Sequence, residues 1–298
     1  MDTLTTPARA ADRGKLSGRL WVLGAALLWS TSGLFARADL FADWQGIQGP
    51  LFAFWRAGFA AVVLMPTIRR PRWSGLLVPL AISFAAMNVT YLTALTQTTA
   101  ANAIWLQSTA PWWVFLISAG VIGEPVVRRD LIPLAFGLVG VGAILWFEVQ
   151  GQDRLGVICG LASGVTYALV VLFMRTLRHE DPSWLVALNH AVAALVMLPW
   201  MLHLGVWPTL AQLIVLAGFG VLQMGIPYTF LIRGLRSISS QEAVAIGLLE
   251  PILMPTWVWL VYGERPAWWT LLGAALIFSG LVLRYVIWNR IAGVRAAG

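Results

Sequence analysis

Along the chain, apolar residues come in ten runs separated by charged or turn-rich breaks. They lie at roughly 18–38, 49–68, 74–96, 101–122, 131–148, 156–176, 183–203, 209–232, 240–262 and 267–289. A bilayer core about 30 Å thick needs roughly 20 such residues in a helix, so each run predicts a transmembrane helix. The connections are mostly under about ten residues, and a polar stretch of about 16 residues precedes the first run. No run has the two-residue alternation of an outer-membrane barrel strand. Arg9, Arg13, Lys15 and Arg19 come before an apolar run too long for a signal peptide, with no small-residue cleavage site after it. The first run is therefore expected to remain a helix. The fold class predicted is an all-α integral membrane protein.

Composition supports this. Of 298 residues, 59% are apolar and only 11% charged, against about 25% charged in ordinary soluble domains. A soluble globule needs a larger polar skin, and a disordered chain needs low hydrophobicity and high charge. The single cysteine, Cys159, excludes an intramolecular disulfide framework and a multi-cysteine metal site.

The net charge of +7 is explained by where the charges fall. With ten spans, sixteen of the 20 basic residues, from Arg9 through Arg69, Arg128, Arg175 and Arg233 to Arg295, lie on one side of the membrane. The other side holds Arg37, Arg154 and Arg265, and Arg56 falls inside the second run. The positive-inside rule then puts both termini in the cytoplasm of a bacterial-type inner membrane. Missing one span would invert every later loop and destroy the asymmetry. No loop is long enough to fold a basic surface for nucleic acid.

The sequence also matches itself. At an offset of 140, Ala103, Pro111, Gly123, Glu124 and Gly140 fall on Ala243, Pro251, Gly263, Glu264 and Gly280. Leu34, Phe35 and Arg37 align with Leu172, Phe173 and Arg175, and Ala60, Ala61, Val63 and Pro66 with Ala193, Ala194, Val196 and Pro199. That alignment sets Arg56 opposite Asn189, and Tyr91 corresponds loosely to Tyr228. The expected organisation is a tail over 1–17, repeats of five helices over 18–150 and 156–290, and a tail over 291–298. Because five is odd, the second repeat enters from the opposite side. Such inverted-topology repeats are common in secondary transporters, whose site lies near the midplane between the halves.

These features resemble the drug/metabolite transporter superfamily, EamA type. The strings that carry the resemblance are Ala26-Leu27-Leu28-Trp29-Ser30, Trp55-Arg56, Thr109-Ala110-Pro111, Leu249-Glu250-Pro251 and the Gly-Glu pairs at 123–124 and 263–264. The resemblance covers about residues 18–290. Within the superfamily the chain is most similar to bacterial exporters of aromatic and other amino acids of the YddG type. The resemblance implies outward movement of amino acids and related small metabolites by alternating access.

Polar residues in mid-membrane are costly and need a reason. Glu250, about ten residues into the ninth run, is either a proton or amine site or a structural group at a Pro251 kink, where proline frees a backbone carbonyl. Arg56 is suited to a substrate carboxylate; alternatively it pairs with Glu250 or snorkels outward. Trp29, Ser30, Asn88, Tyr91, Gln107, Trp112, Tyr167 and Gln223 are the further candidates for contact with substrate. A cavity of that composition suits a small amphipathic solute better than a phosphate or sugar. Pro111 and Pro251 are expected kinks. Glu124 and Glu264 are expected to cap or close the loop at the start of the helix that follows each, with gating as the alternative. Gly156, Gly160 and Gly164, like Gly137, Gly140 and Gly142, have the spacing of close helix contacts. There is no GxxxxGK[ST] loop for nucleotide, and His179, His190 and His203 have no metal-ligand spacing. No metal, cofactor or enzymatic constellation is implied. The expected partners are a small-molecule substrate and the lipid bilayer; coupling is either proton exchange through Glu250 or absent, with facilitated flow down the gradient.

Overall fold

The computed structural model describes residues 6–44, 46–122, 131–148, 154–177, 179–238, 243 and 246–283. Gly123, Glu124, Arg128, Arg129, Arg178 and everything after residue 283 lie outside the described residues. Every element among the described residues is helical, and none is a strand. Six helical stretches are long and apolar enough to cross a membrane: Gly14–Ala36, Gln48–Thr67, Leu77–Gln97, Arg154–Thr176, Pro182–Leu204 and Leu210–Gly234. Two shorter apolar helices cover Ala135–Phe147 and Trp268–Val282.

The first run is α1 (Thr6–Trp29) followed, after a turn at Ser30 and Thr31, by α2 (Ser32–Ala36). The helix thus starts inside what was expected to be a polar tail, and it breaks in mid-run. Next come α3 (Gln48–Leu64) and α4 (Leu77–Gln97). The fourth run is not one helix but two, α5 (Ala100–Gln107) and α6 (Ala110–Ile117). Proline lacks an N–H and its ring collides with the carbonyl four residues back. For Pro111 that residue is Gln107, where α5 stops. Proline is tolerated in a first turn, and Pro111 sits in the first turn of α6.

The chain continues through α7 (Leu131–Glu148), α8 (Arg154–Thr176) and α9 (Pro182–Leu204). The eighth run contains α10 (Leu210–Gly220), a π-helical turn at Val221–Gly225, and α11 (Ile226–Gly234). In the ninth run, α12 (Glu250–Tyr262) begins after a turn at Leu248 and Leu249, with Pro251 in its first turn. The last described helix is α13 (Trp268–Val282).

The helices pack in a specific pairing. α4 lies along α8, α3 along α9, α1 along α11, and α7 along α13. Glycine makes the closest approaches possible. A Cβ on Gly140 would stand 2.7 Å from the Gly273 carbonyl, and one on Gly273 would stand 2.6 Å from the Gly140 carbonyl. The Gly156, Gly160 and Gly164 face of α8 receives Thr98, Leu106 and Thr109, so that stripe is a packing face within the chain. Large apolar side chains such as Val62, Trp146, Leu210 and Ile214 point outward and stay exposed. A bilayer is the solvent that accepts such a surface. Trp73, Trp207 and Trp268 are exposed beside helix ends, the position of an interfacial aromatic belt.

Candidate functional site

Four interruptions in the helices converge on one cavity of about 340 Å³. Trp29 is the last residue of α1, Gln107 the last of α5, Glu250 the first of α12, and Gln223 lies in the π turn between α10 and α11. Helix ends leave backbone N–H and C=O groups without intrahelical partners, and π turns are frequent at functional sites. The continuous helices α3, α4, α8 and α9 add Arg56, Tyr91, Tyr167 and Asn189 to the wall, and α11 adds Tyr228. Met87, Met174 and Met224 complete it with adaptable thioethers. A second cavity of about 380 Å³ shares Trp29, Gln107, Tyr167, Val171, Leu231 and Glu250 with the first. Its other walls are mostly apolar, including Ile104, Val114, Leu248 and Leu281.

Arg56 is the electrostatic centre of the first cavity. It is 1% exposed. Its Nη1 donates to Gln223 Oε1 at 3.0 Å and its Nη2 donates to Asn88 Oδ1. Asn88 Nδ2 is anchored on the Ala53 carbonyl at 2.9 Å, and Gln223 Nε2 reaches the Trp29 carbonyl at 3.4 Å, a group exposed by the break after α1. The guanidinium carbon lies 5.3 Å from the Phe219 ring centre and 5.9 Å from that of Tyr91, within cation–π range. Among the described residues no carboxylate is within ion-pair distance of it; the ion pair found there is Arg37–Glu264. Of the alternatives open for Arg56, direct pairing with Glu250 is therefore not seen among the described residues. Two amides and two aromatic faces hold the cation instead. It does not snorkel either, being buried. Glu250 faces both cavities, and among the described residues its carboxylate accepts no hydrogen bond.

Three expected contact residues do not line either cavity. Ser30 donates to the Leu27 carbonyl at 2.7 Å and accepts from Trp257 Nε1 at 3.0 Å, so its hydroxyl closes the α1 turn. Asn88 stands behind Arg56 and orients it. Trp112 fills the space left by Gly137, where a Cβ would fall 2.1 Å from its ring, and so packs α6 against α7. Trp29, Tyr91, Gln107, Tyr167, Gln223, Glu250 and Arg56 do line the first cavity. Asn189 and Tyr228 join them; their signal was the self-alignment, which sets them opposite Arg56 and Tyr91. Lining residues thus come together in repeat-related pairs, as do Pro111 and Pro251 in the second cavity.

Ser32, Tyr91, Met254 and Val258 form a buried layer beyond the cavity. Ser32 Oγ and Tyr91 Oη share a hydrogen bond of 3.1 Å, and both contact Met254 Sδ. Past this layer lie two polar clefts lined by Arg37, Asp39, Thr96 and Gln97. Here Glu264 Oε2 accepts from Arg37 Nε at 2.7 Å and Glu264 Oε1 accepts from the Ala100 N–H at 2.7 Å, while Arg37 Nη2 donates to the Thr98 carbonyl. Glu264 therefore caps α5, a helix distant in sequence, and not the helix that follows it. The reason is reach: Gly263, at φ 71°, turns the chain out of α12 and aims the carboxylate toward the orphan N–H groups of α5.

On the opposite connection, Asp181 caps α9 through Ser183 N and also accepts from the N–H groups of Arg69 and Arg70. Partial burial alone would raise its pKa. The backbone N–H donors outweigh that and hold the carboxyl below its ordinary range.

The sequence profile of the EamA-like transporter family matches this chain twice, over residues 16–146 and 154–286. A relative from Archaeoglobus fulgidus, described as an uncharacterized transporter, is 25% identical over 271 residues, covering 90% of this chain and 96% of its own. A Bacillus subtilis relative, described as uncharacterized transporter YxxF, is 25% identical over 212 residues, covering 68% and 67%. A solved structure titled only as a crystal structure of a protein aligns with a TM-score of 0.62 at 20% identity, over 92% of this chain and 98% of that one; it shares the fold.

Proposed function

The chain belongs to the EamA-like transporter family of the drug/metabolite transporter superfamily, and from that premise we propose that it exports amino acids with hydrophobic or aromatic side chains, and related small metabolites. Movement is by alternating access at the central cavity of a ten-helix, five-plus-five inverted repeat in the inner membrane, with both termini cytoplasmic. The helix pairing supports the repeat. Exchanging the halves turns the α1–α11 contact into the α8–α4 contact and leaves α3–α9 and α7–α13 unchanged, as a twofold relation requires. The matched breaks before Pro111 and Pro251 support it too. The basic residues on one side support the orientation.

The observation that carries the substrate class is the buried Arg56, without a carboxylate partner among the described residues, in the same cavity as Glu250, which accepts no hydrogen bond among them. A buried cation calls for an anion, and a zwitterion supplies one. Its carboxylate meets Arg56, its ammonium meets Glu250, and its side chain fills the apolar cavity that Glu250 also borders. Phosphates and sugars find too few donors there. The position of Glu250 on both cavities also suits it to carry a coupling proton.

The test is uptake of labelled phenylalanine and leucine into liposomes holding the purified protein, with and without a pH gradient. Saturable flux in the wild type, lost in Arg56→Gln, is expected. Gradient-driven accumulation lost in Glu250→Gln makes that carboxylate the coupling site. Facilitated flux that survives in that variant separates coupling from binding, whereas loss of all flux in Glu250→Gln assigns the carboxylate to ammonium binding. No flux of any amino acid overturns the substrate assignment.

A further inference from the structure

Among the described residues, few buried side-chain polar atoms lack a hydrogen-bond partner: those of Trp44, Trp55, Ser118, Glu180 and Asn189. Asn189 stands apart in two ways. Both its Nδ2 and its Oδ1 are unpartnered, and it alone of the five lines the central cavity. It is 0% exposed. An orphaned buried amide is unfavourable, and a protein retains one where a ligand satisfies it. On the neighbouring helix its counterpart in the self-alignment is Arg56, the cation of the same cavity.

We infer that Asn189 is the specificity-determining residue of the cavity, reading the α-amino-carboxylate head of the solute with one amide. The inference rests on the transport reading above. The amide presents an acceptor and a donor side by side on one carbon. An α-amino acid presents an ammonium donor and a carboxylate acceptor side by side on one carbon. Oδ1 accepts from the ammonium while Nδ2 donates to the carboxylate. Arg56 and Glu250 each recognise one charge and admit simple acids or amines separately. Asn189 demands both groups on one carbon. The amide is fully buried, so the side chains over it draw back as solute enters, and binding satisfies both orphan atoms at once.

The experiment compares phenylalanine, phenethylamine and 3-phenylpropionate as competitors of labelled phenylalanine uptake, in wild type and in Asn189→Leu. Wild type is expected to prefer phenylalanine over both analogues by about 10- to 100-fold, the value of hydrogen bonds to charged groups. Asn189→Leu is expected to narrow that preference by about tenfold, leaving the part that Arg56 and Glu250 supply. In detergent without solute, Asn189→Leu is expected to raise the thermal midpoint by about 2–4 °C, because two orphan atoms disappear. Phenylalanine added to wild type closes that gap, and added to the variant it does not. Unchanged preference in Asn189→Leu, with phenylalanine still transported, overturns this inference alone. So does a lowered midpoint, which means the amide is already satisfied without solute. No phenylalanine flux in wild type overturns the transport reading and this inference with it.

Discussion

Glu264→Gln is the most informative change outside the cavity. The carboxylate joins three segments: the end of α12 that carries it, Arg37 just after α2, and the first residue of α5. Both side chains of the ion pair are about a fifth exposed, at 21% and 23%, so solvent screens part of the attraction. Charge-assisted bonds are worth about 1.5–3 kcal/mol when well shielded, and exposed pairs about 0–1 kcal/mol. Glutamine keeps one carbonyl acceptor, so the expected net loss is about 1–2 kcal/mol. That is a 5- to 30-fold change in an equilibrium. The structure is closed at this end, since Ser32, Met254 and Val258 show no exposed surface between clamp and cavity. If opening this end separates the three segments, Glu264→Gln raises the open population by that factor. The readout is the labelling rate of Ser32→Cys by a membrane-impermeant maleimide, in a Cys159→Ala background. A 5- to 30-fold faster rate is expected, with reversal in the charge-swapped pair Arg37→Glu and Glu264→Arg. A rate within about twofold of the parent, at an unchanged thermal midpoint, would refute the reasoning: the clamp would then persist in both conformations.

Three further outcomes are expected. Gly273→Leu drives side-chain atoms into the Gly140 carbonyl and Ile144 and should destabilise by about 1–3 kcal/mol or more, read as a lower midpoint in detergent; Gly142→Leu, with open space around its Cβ, should be close to neutral. Arg56→Lys keeps the charge but cannot span Gln223 and Asn88 with a planar fork, so flux should fall at least about tenfold, with folding preserved by size-exclusion profile. Asp181→Ala should cost about 1 kcal/mol at pH 7 through loss of the α9 cap. Because the folded carboxyl titrates below its unfolded value of about 3.9, that stability is full above the unfolded value and fades as pH falls through the lower folded one. Midpoints of wild type and variant should therefore converge as pH falls below the unfolded value.

The site was partly legible in the sequence. Arg56, Glu250, Gln223 and the tyrosines stand out because a polar group in an apolar run is conspicuous against lipid. Trp29 and Tyr167 came from matching depth in repeated runs. Ser30 and Trp112 misled because a residue's depth along a span does not say which way it faces or what its hydroxyl or ring already contacts. The Ser30 hydroxyl is taken by the local turn, and the Trp112 ring by the space above Gly137. Asn189 was visible only as the counterpart of Arg56 in the self-alignment; its significance lies in having no side-chain hydrogen bond among the described residues, and a missing contact leaves no mark in sequence.

Whatever depends on transfer to lipid and on the backbone is readable along the chain: apolar runs, the sided distribution of basic residues, the repeated Pro and Gly-Glu positions, and a departure from straight helix at Pro111 and Pro251. These follow from local rules, since hydropathy and proline act within a few residues. The tertiary structure alone decided that Arg56 is held by Gln223 and Asn88 and not by Glu250, that Glu264 reaches back to cap α5, and that four helix interruptions meet at one cavity. Each joins residues from about 30 to more than 160 positions apart. Such contacts are fixed by how glycine faces let helices approach, a property of the packed bundle and not of any one run.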